Sequence, residues 1–311
     1  MSGRSRSASA VRRLRTTRPS GTVVHGLLVG MERGSGHGPL LVIGSTGKTG
    51  RHVVARLREL GEDVRAVARA TPLRFDWFDE STWEPAVSGA RAAYLVDAQN
   101  EHAAERMRAF ARFAVERGVE RLVLLSARGW SDSGEPELLA TEDALRESGA
   151  AWTILRPTWF MQGFTEDAAL RGPLRSGEVR LPSGDGPEPF VDTEDIAEVA
   201  AAVLTRDGHE GGVYALSGPR ALSMGEAVDT IAKATGRAIR YVPVPEEEYV
   251  AGLVARGMPP GQAAFMAKLY RWIRDGEDAH LSDGVQRVLG RPPRDFTAFA
   301  DRAAAAGAWD D

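Results

Sequence analysis

Three glycines, each separated by two residues, form the pattern with the clearest chemical meaning in this sequence. In a loop between a strand and a helix, the first glycine allows a tight turn and the second lets the backbone approach a pyrophosphate. The third lets the helix pack closely, and the helix N-terminus presents free N–H groups to the phosphates. We therefore predict a dinucleotide-binding loop, made of Gly44, Ser45, Thr46, Gly47, Lys48, Thr49 and Gly50.

A mononucleotide-binding P-loop is the main alternative for this segment, because Gly47-Lys48-Thr49 resembles the end of that motif. The motif also needs a glycine five positions before Gly47, and the sequence has Val42 there, inside an apolar run. We therefore exclude the P-loop.

The choice between NADP(H) and NAD(H) depends on the tip of the second strand. An acidic residue there would bind the ribose 2′-hydroxyl of NAD, whereas an arginine accommodates the 2′-phosphate of NADP. The sequence has Arg69 at this tip, with Arg65 as the weaker candidate, and Lys48 adds positive charge nearby. These residues favour NADP(H) as the cofactor over NAD(H).

The elements that position this loop are indicated by hydrophobic periodicity. Leu40–Ile43 is a continuous apolar run, typical of a buried parallel strand. Similar runs occur at 63–68, 92–96, 122–125 and 152–155, and helical patterns separate them. Strands that alternate with helices predict an α/β fold with a Rossmann-like, doubly wound parallel sheet. The Gly- and Pro-rich residues 172–189 are predicted to form loops over the sheet edge.

Three regions follow from this pattern. Residues 1–37 are predicted to be a disordered or spurious N-terminal extension, because residues 1–30 hold six arginines, no acidic residue and few large apolar groups. Met31 is the expected true start. Residues 38–160 are predicted to form the NAD(P)-binding Rossmann domain. Residues 161–311 are predicted to be a smaller mixed α/β region that completes the sheet and covers the substrate cleft.

Composition excludes several classes of protein. The 311 residues include no cysteine, which excludes disulfides, thiolate metal sites and cysteine nucleophiles and is compatible with a cytoplasmic location. The histidines have no metal-ligand spacing, so we predict no metal site. No apolar run is long enough to span a membrane, and the net charge of −4 argues against nucleic acid as a partner. The expected partner is a small-molecule substrate, and a homodimer is left open.

Several segments together carry a family resemblance: 41–69, Phe75–Trp83, Tyr94–Val96 and Leu155–Met161. They resemble the NmrA-like branch of the atypical short-chain dehydrogenases. The segments Phe75–Trp83 and Leu155–Met161 most resemble the festuclavine and agroclavine dehydrogenases of ergot alkaloid biosynthesis. The resemblance extends over about residues 40–309 and implies an NADPH-dependent oxidoreductase.

The resemblance also implies which residues surround the two ends of the cofactor. It places Asp76 and Trp77 near the adenine. It places a second group along the nicotinamide cleft, where some residues would contact cofactor and others substrate. The implied cofactor contacts of that group are Leu95, Val96, Ser126 and Pro157, and the implied substrate contacts are Ala127, Thr158, Trp159 and Phe160.

One feature of the wider family is missing from the sequence. Classical short-chain dehydrogenases place a Tyr-x-x-x-Lys motif after a strand-end serine, which here is Ser126, but Glu135 and Leu139 occupy the two motif positions. The usual proton donor for a carbonyl oxygen is therefore absent. Either the protein reduces an iminium or an activated C=C bond, for which orientation is the main requirement, or it only binds dinucleotide and reports redox state. No catalytic residue is assigned.

Aromatic residues offer further candidates. Trp159, Phe160 and Phe164 could form an apolar substrate wall, although such residues also build ordinary protein cores. Tyr249 or Tyr270 could supply a proton from the C-terminal region, and ordinary helix packing is the alternative for both.

Overall fold

The structure is a computed structural model that describes residues 38–310, so the predicted extension at 1–37 lies outside the described residues. The strands are β1 Leu40–Ile43, β2 Val64–Val67, β3 Ala92–Val96, β4 Arg121–Leu125, β5 Ala151–Pro157, β6 Glu178–Leu181, β7 Pro187–Glu188, β8 Gly212–Leu216, β9 Leu222–Ser223 and β10 Arg240–Pro243. The helices are α1 Gly50–Glu59, α2 Trp83–Val87, α3 Ala103–Glu116, α4 Arg128–Asp132, α5 Ala140–Arg146, α6 Gly163–Glu166, α7 Ala168–Ser176, α8 Thr193–Thr205, α9 Met224–Thr235, α10 Glu246–Ala255, α11 Pro260–Asp275, α12 Gly284–Leu289 and α13 Phe296–Ala305.

Six strands form the main sheet in the order β2-β1-β3-β4-β5-β8, and every neighbouring pair is parallel. Helices α1, α8 and α12 cover one face, where residues such as Val53 and Val199 are fully buried. Helices α2, α3 and α5 cover the other face, with Phe110 and Leu145 in that core. The predicted α/β fold with a Rossmann-like, doubly wound parallel sheet is confirmed.

The strand order places a crevice at the start of the sheet. The chain passes from β1 outward to β2 and then returns to the other side of β1 as β3. In open parallel sheets, ligands bind at this reversal, outside the carboxyl ends of the two strands. The carboxyl end of β1 leads directly into Gly44, and β3 ends beside it at Val96. The fold therefore brings the predicted glycine loop to the expected ligand crevice.

The prediction of loops over 172–189 is wrong in part. Helix α7 continues to Ser176, and β6 pairs in parallel with β10, with Glu178 opposite Arg240. The pairing partner lies about 60 residues away in sequence, so local Gly and Pro content could not reveal it.

A third core lies beyond β5, and all of its fully buried members follow residue 160. It includes Met161 before α6, Leu174 in α7, Ile231 in α9, Tyr270 in α11 and Trp309 near the C-terminal end. Strand β8 and helix α8 also belong to this second half of the chain, but they complete the first sheet. The division at 160 and 161 stays a prediction. Over residues 38–310, no helix has the length and apolar character needed to cross a membrane.

Candidate functional site

The glycine loop has the geometry that a close approach of ligand requires. Gly44 has φ +78°, a left-handed conformation that favours glycine, and a Cβ on it would meet the Val96 side chain at 3.2 Å. A Cβ on Gly50 would lie only 2.2 Å from the carbonyl oxygen of Gly44, so α1 packs directly against the turn. A Cβ on Gly47 would meet only that same carbonyl oxygen, at 3.2 Å. The loop thus forms a backbone cradle at the N-terminus of α1.

Some polar groups in this cradle are left without a partner among the residues that the structure describes. Ser45 Oγ is buried and has no hydrogen-bond partner among residues 38–310. Within the same described range, the backbone N–H groups of Thr46 and Lys48 also have no acceptor. The side chain of Thr49, the residue before α1, does not cap the helix, because its hydroxyl accepts a 3.0 Å hydrogen bond from Tyr94. Free donors at a helix N-terminus suit a phosphate group.

A cavity of about 630 Å³ opens in front of the cradle. Of the residues predicted to bind the cofactor, Ser45, Gly50 and Leu95 do not line it: Gly50 serves packing, and the side chain of Leu95 is fully buried in the core. Ser126 and Pro157 lie elsewhere, as described below. The predicted residues that do line this first cavity are Gly44, Thr46, Gly47, Lys48, Thr49, Arg69, Asp76, Trp77 and Val96.

Of the two arginines in β2 and at its tip, Arg69 is the one that is free to contact a ligand. It is exposed at the edge of the first cavity, and no ion pair or hydrogen bond engages its side chain within residues 38–310. Arg65 is occupied, because its guanidinium donates to the carbonyl oxygens of Ala86 and Ser88 at 2.9 and 2.6 Å. The geometry therefore retains Arg69 and sets Arg65 aside.

Asp76 and Trp77 are held in place by neighbouring groups. The Asp76 carboxylate accepts a 2.8 Å hydrogen bond from Arg74, which makes it a poor partner for a phosphate. Trp77 Nε1 donates to the carbonyl oxygen of Val96 at 3.1 Å, and its ring packs edge-on against Phe110. Trp77 thus fixes the end of β3 at the wall of the cavity.

A second cavity of about 660 Å³ adjoins the first and has mostly apolar walls. Lys48 and Phe160 line both cavities, so the two meet at these side chains. Ser126 and Pro157, predicted as cofactor contacts, lie on this second cavity. All of the predicted substrate contacts line it as well, namely Ala127, Thr158, Trp159, Phe160 and Phe164.

Two of these predicted contacts serve the fold as much as the cavity. Thr158 is buried, and its hydroxyl donates a 2.7 Å hydrogen bond to the carbonyl oxygen of Pro189. Phe164 is almost fully buried between Phe190 and Phe296, with ring centroids 5.2 and 5.1 Å away. Trp159 and Phe160 are only partly buried and present more open surface to the cavity.

Two ion pairs join the glycine loop and α1 to the segment that leads into α7. Lys48 Nζ pairs with the carboxylate of Asp167, and Arg51 pairs with Glu166. Asp167 also lines the second cavity. The loop that would hold the cofactor is therefore in direct contact with the region that covers the substrate cavity.

Ser126 has a carboxylate neighbour in place of the missing tyrosine. Its hydroxyl donates to Glu142 Oε1 at 2.6 Å, and Arg156 and Arg146 also donate to this buried carboxylate. Burial acts to raise the pKa of Glu142, but the hydrogen bonds from Arg156 and Ser126 outweigh it and hold that pKa below its ordinary value. Glu142 is therefore ionised near neutral pH and is no proton donor.

The two positions of the missing motif take no part in this group. Glu135 Oε1 accepts a 2.5 Å hydrogen bond from Lys268, and no contact joins Leu139 to Ser126 in the described structure. Of the two candidate tyrosines, Tyr270 lines the second cavity and Tyr249 does not. Burial raises the pKa of Tyr270 well above its ordinary value, so it keeps its proton.

Several cavity residues escaped sequence reasoning. Helix α11 contributes a stripe that repeats every three or four residues, a pattern that is indistinguishable from an ordinary buried helix face. Asp278 follows α11 in a turn, and no motif marks it. Within residues 38–310 no cluster of side chains suits a metal ion. The missed residues of the second cavity include Trp130, Asp167, Met266, Leu269, Trp272, Ile273 and Asp278.

Comparison with known proteins agrees with this geometry. The model of the NmrA-like family matches residues 37–296. The uncharacterized oxidoreductase YesF of Bacillus subtilis is 35% identical, covering 87% of this chain and 96% of its own length. The NAD(P)H azoreductase of Xenophilus azovorans is 32% identical, and the match covers 86% of this chain and 98% of the azoreductase. Festuclavine synthase I of Penicillium roqueforti is 30% identical, covering 84% and 97%, which confirms the resemblance to the ergot enzymes.

Among solved structures, the Citrobacter triphenylmethane reductase complexed with NADP(H) has a TM-score of 0.73 to this chain. The match covers 86% of this chain and 99% of the reductase, at 23% sequence identity. At that identity the likeness establishes a shared fold.

Proposed function

The chain belongs to the NmrA-like family, and on that premise we propose that it uses NADPH to reduce an imine, an iminium or an activated C=C bond in a small organic molecule. That it is an NAD(P)H-dependent oxidoreductase agrees with its relatives, which include an NAD(P)H azoreductase at 32% identity. The cofactor would supply a hydride. The chain would bind it, orient it and provide the cavity for the acceptor.

One observation carries this proposal: the two cavities meet at Lys48 and Phe160. The first has the glycine cradle and the unpartnered donors that suit a dinucleotide. The second is walled by aromatic and aliphatic side chains, which suit a flat organic molecule. Ligands in adjoining cavities would meet at the shared wall, which is the arrangement that hydride transfer requires.

The groups that usually protonate a ketone in short-chain dehydrogenases are absent or engaged here, which favours an electrophile other than a simple ketone. Ser126 donates its hydrogen to Glu142, and the positions of the usual tyrosine and lysine are Glu135 and Leu139. An iminium carbon accepts hydride without needing a proton at the adjacent atom. The aromatic walls can also stabilise a cationic substrate, because cations are attracted to the faces of aromatic rings.

The choice of NADPH over NADH rests on Arg69. Its exposed, unengaged guanidinium at the tip of β2 fits the position where a 2′-phosphate is accommodated. Asp76, an acidic residue of the same cavity, is engaged by Arg74 and does not compete for the ribose. A purely regulatory role is not favoured, since the relatives above 30% identity include two named reductases.

The proposal is tested by two measurements on the full chain. Titration with NADPH, NADH, NADP⁺ and NAD⁺ should give the tightest binding for NADPH. NADPH oxidation at 340 nm should then be followed with a permanently charged iminium, a neutral cyclic imine and an enone. Failure to bind any dinucleotide, or tight binding with no turnover of all three classes, would overturn the proposal.

A pair of tryptophan variants shows whether turnover occurs in the second cavity. Trp159→Leu removes an aromatic wall and should raise KM for the substrate while leaving NADPH affinity unchanged. Trp152→Leu is the matched control, because Trp152 is also partly buried but lies outside both cavities. Equal effects of the two substitutions on KM would place the substrate elsewhere.

A further inference from the structure

A cluster of three carboxyl groups and one guanidinium, largely buried, lies at the wall of the second cavity. Arg128 is 1% exposed, and its Nε donates a 2.5 Å hydrogen bond to Asp278 Oδ1. The same Nε lies 3.7 Å from Asp132 Oδ2. Glu188 in β7 is fully buried beside them. Two of the carboxyl groups, Asp278 and Glu188, are buried and share one guanidinium with the partly exposed Asp132, which favours a retained proton in the cluster.

The contacts within the cluster indicate where a proton can reside. Asp278 Oδ1 and Asp132 Oδ2 lie 2.5 and 3.7 Å from the same Arg128 Nε, so the two carboxyl groups compete for one positive charge. Glu188 Oε1 accepts from the Trp159 N–H at 3.3 Å, whereas its Oε2 is buried without a partner among residues 38–310. Burial raises the pKa of Asp278, and it raises that of Glu188 well above the ordinary value.

Charged groups around the cluster act on Asp132 more than on Asp278. His280 Nε2 lies 3.8 Å from Asp132 Oδ2, and this imidazole is mostly exposed. On α11, Lys268 pairs with Glu135 and lies over the ring of Trp272. The positive charge in direct contact with Asp278 is therefore that of Arg128.

Asp278 is the member of the cluster that reaches the cavity. It lines the cavity together with Gly129 and Trp272. A Cβ built on Gly129 would lie 3.9 Å from Asp278 Oδ2, so the glycine leaves the carboxyl group uncovered on that side. Arg128 binds the other oxygen, Oδ1. Oδ2 is thus the atom placed to exchange a proton with a bound molecule.

We propose that Asp278 is the proton donor of the second cavity and that its substrate is a neutral imine. The inference rests on the proposed reductase function. The O–H bond of Asp278 breaks, its proton forms an N–H bond at the imine nitrogen, and an aspartate is left beside a cationic iminium. Bound NADPH would supply the hydride that converts the iminium carbon to the amine, and Asp278 would regain its proton from solvent through the cluster.

This assignment accounts for the missing tyrosine. A carboxylic acid is acidic enough to protonate an imine nitrogen, and the carboxylate that results stabilises the iminium by its charge. Arg128 would act as a positioning residue, because it binds Asp278 and does not line the cavity. Asp132 lies beside the same guanidinium and would act through it.

The test compares a neutral imine with its permanently charged counterpart, 2,3,3-trimethylindolenine and 1,2,3,3-tetramethylindolium. The second needs hydride alone, so only the first needs a donor. Asp278→Asn should lower kcat/KM for the indolenine on the order of 100-fold and leave the indolium within about threefold of wild type. Equal losses for both substrates, or no loss for the indolenine, would overturn the assignment.

Other outcomes separate this inference from the proposed function. A wild-type protein that reduces neither probe contradicts this inference, and if it also reduces no enone it contradicts the reductase proposal as well. If the wild-type protein reduces both probes and Asp278→Asn keeps the wild-type kcat/KM for the indolenine, only the assignment of Asp278 as the donor is contradicted. Asp229→Asn on the exposed face of α9 is the matched control and should leave both rates unchanged.

A second variant keeps the assignment testable if Asp278→Asn does not fold. Asp132→Asn removes the second carboxylate from the pair, so Arg128 acts on Asp278 alone and lowers its pKa. A donor must be protonated to act. The high-pH decline of kcat/KM for the indolenine should therefore move to lower pH, with the indolium profile unmoved. Unchanged indolenine profiles would contradict the role of Asp278.

Discussion

The Ser126 hydroxyl donates a 2.6 Å hydrogen bond to Oε1 of Glu142, a side chain that is only 1% exposed. Arg156 donates to the same carboxylate through two nitrogens, at 2.9 and 2.6 Å. The serine at the end of β4 is thus a member of a buried ionic group, whereas in classical short-chain dehydrogenases the equivalent serine accompanies a tyrosine. Its hydrogen is already committed, so Ser126 is poorly suited to donate to substrate.

Ser126→Ala is therefore expected to have a small effect on turnover. Glu142 keeps its bonds to Arg156 and Arg146, so the free energy of unfolding should fall by about 1 kcal/mol, and kcat should change less than about fivefold. Urea unfolding and steady-state kinetics on the indolenine probe, which needs a proton donor, measure the two quantities. A loss of kcat above about 100-fold with unchanged stability would instead make Ser126 a proton donor.

Glu142 should make stability depend on pH in the acid range. Its folded-state pKa lies below the ordinary value of 4.5, so its contribution is fully present above that value and is lost as pH falls through the folded pKa. Glu142→Gln removes this contribution and leaves Arg156 without its carboxylate. The difference in unfolding free energy between wild type and Glu142→Gln should be constant near neutral pH and shrink in acid. A difference that grows in acid would mean that folding raises the pKa of Glu142 and does not lower it.

Arg69→Glu should shift cofactor preference from NADPH towards NADH. Loss of one charged contact to a 2′-phosphate costs about 1.5–3 kcal/mol, so the Kd for NADPH should rise roughly 10- to 100-fold. The Kd for NADH should stay level or fall. Arg58→Glu makes the same charge change at an exposed position in α1 outside the first cavity and should leave the ratio unmoved. An unchanged ratio in Arg69→Glu would refute its assignment.

Local signals explain which parts of this molecule could be predicted. The glycine loop and the apolar strands are patterns within a few residues, and the sheet order follows from strands that alternate with helices. Arg69 could be assigned because its position relative to β2 fixes where it lies. Leu95 could not be separated from Val96, because alternate strand residues point to opposite faces and the family pattern does not say which face meets the cofactor.

Long-range contacts explain what could not be predicted. Arg128 and Asp278 are 150 residues apart in sequence and meet only because the turn after α11 packs against α4. The partner of Ser126 was equally hidden. The segment between β4 and α5 is broken into a short helix and a 3-10 turn, so counting along one continuous helix led to Glu135 and Leu139, and Glu142 is the residue that reaches the serine.

The ion pair between Lys48 and Asp167 should compete with cofactor phosphates. The Lys48 ammonium lines both cavities and is held by a carboxylate, so a bound pyrophosphate would have to share it. Asp167→Asn frees the ammonium and should tighten NADPH binding several-fold, whereas Lys48→Met should weaken it about tenfold. Both side chains are about two-fifths exposed, so neither change should alter unfolding free energy by more than about 1 kcal/mol.

A double-mutant cycle isolates this competition. If Asp167 acts on NADPH only through Lys48, then Asp167→Asn should have no effect in the Lys48→Met background. Glu166→Gln is the matched control, because it breaks the neighbouring pair with Arg51, which does not line either cavity. The gain from Asp167→Asn should also diminish with added salt, since the interaction is electrostatic and partly exposed. Equal tightening by Asp167→Asn and Glu166→Gln would mean that looser contact with the covering segment, and not the freed ammonium, improves binding.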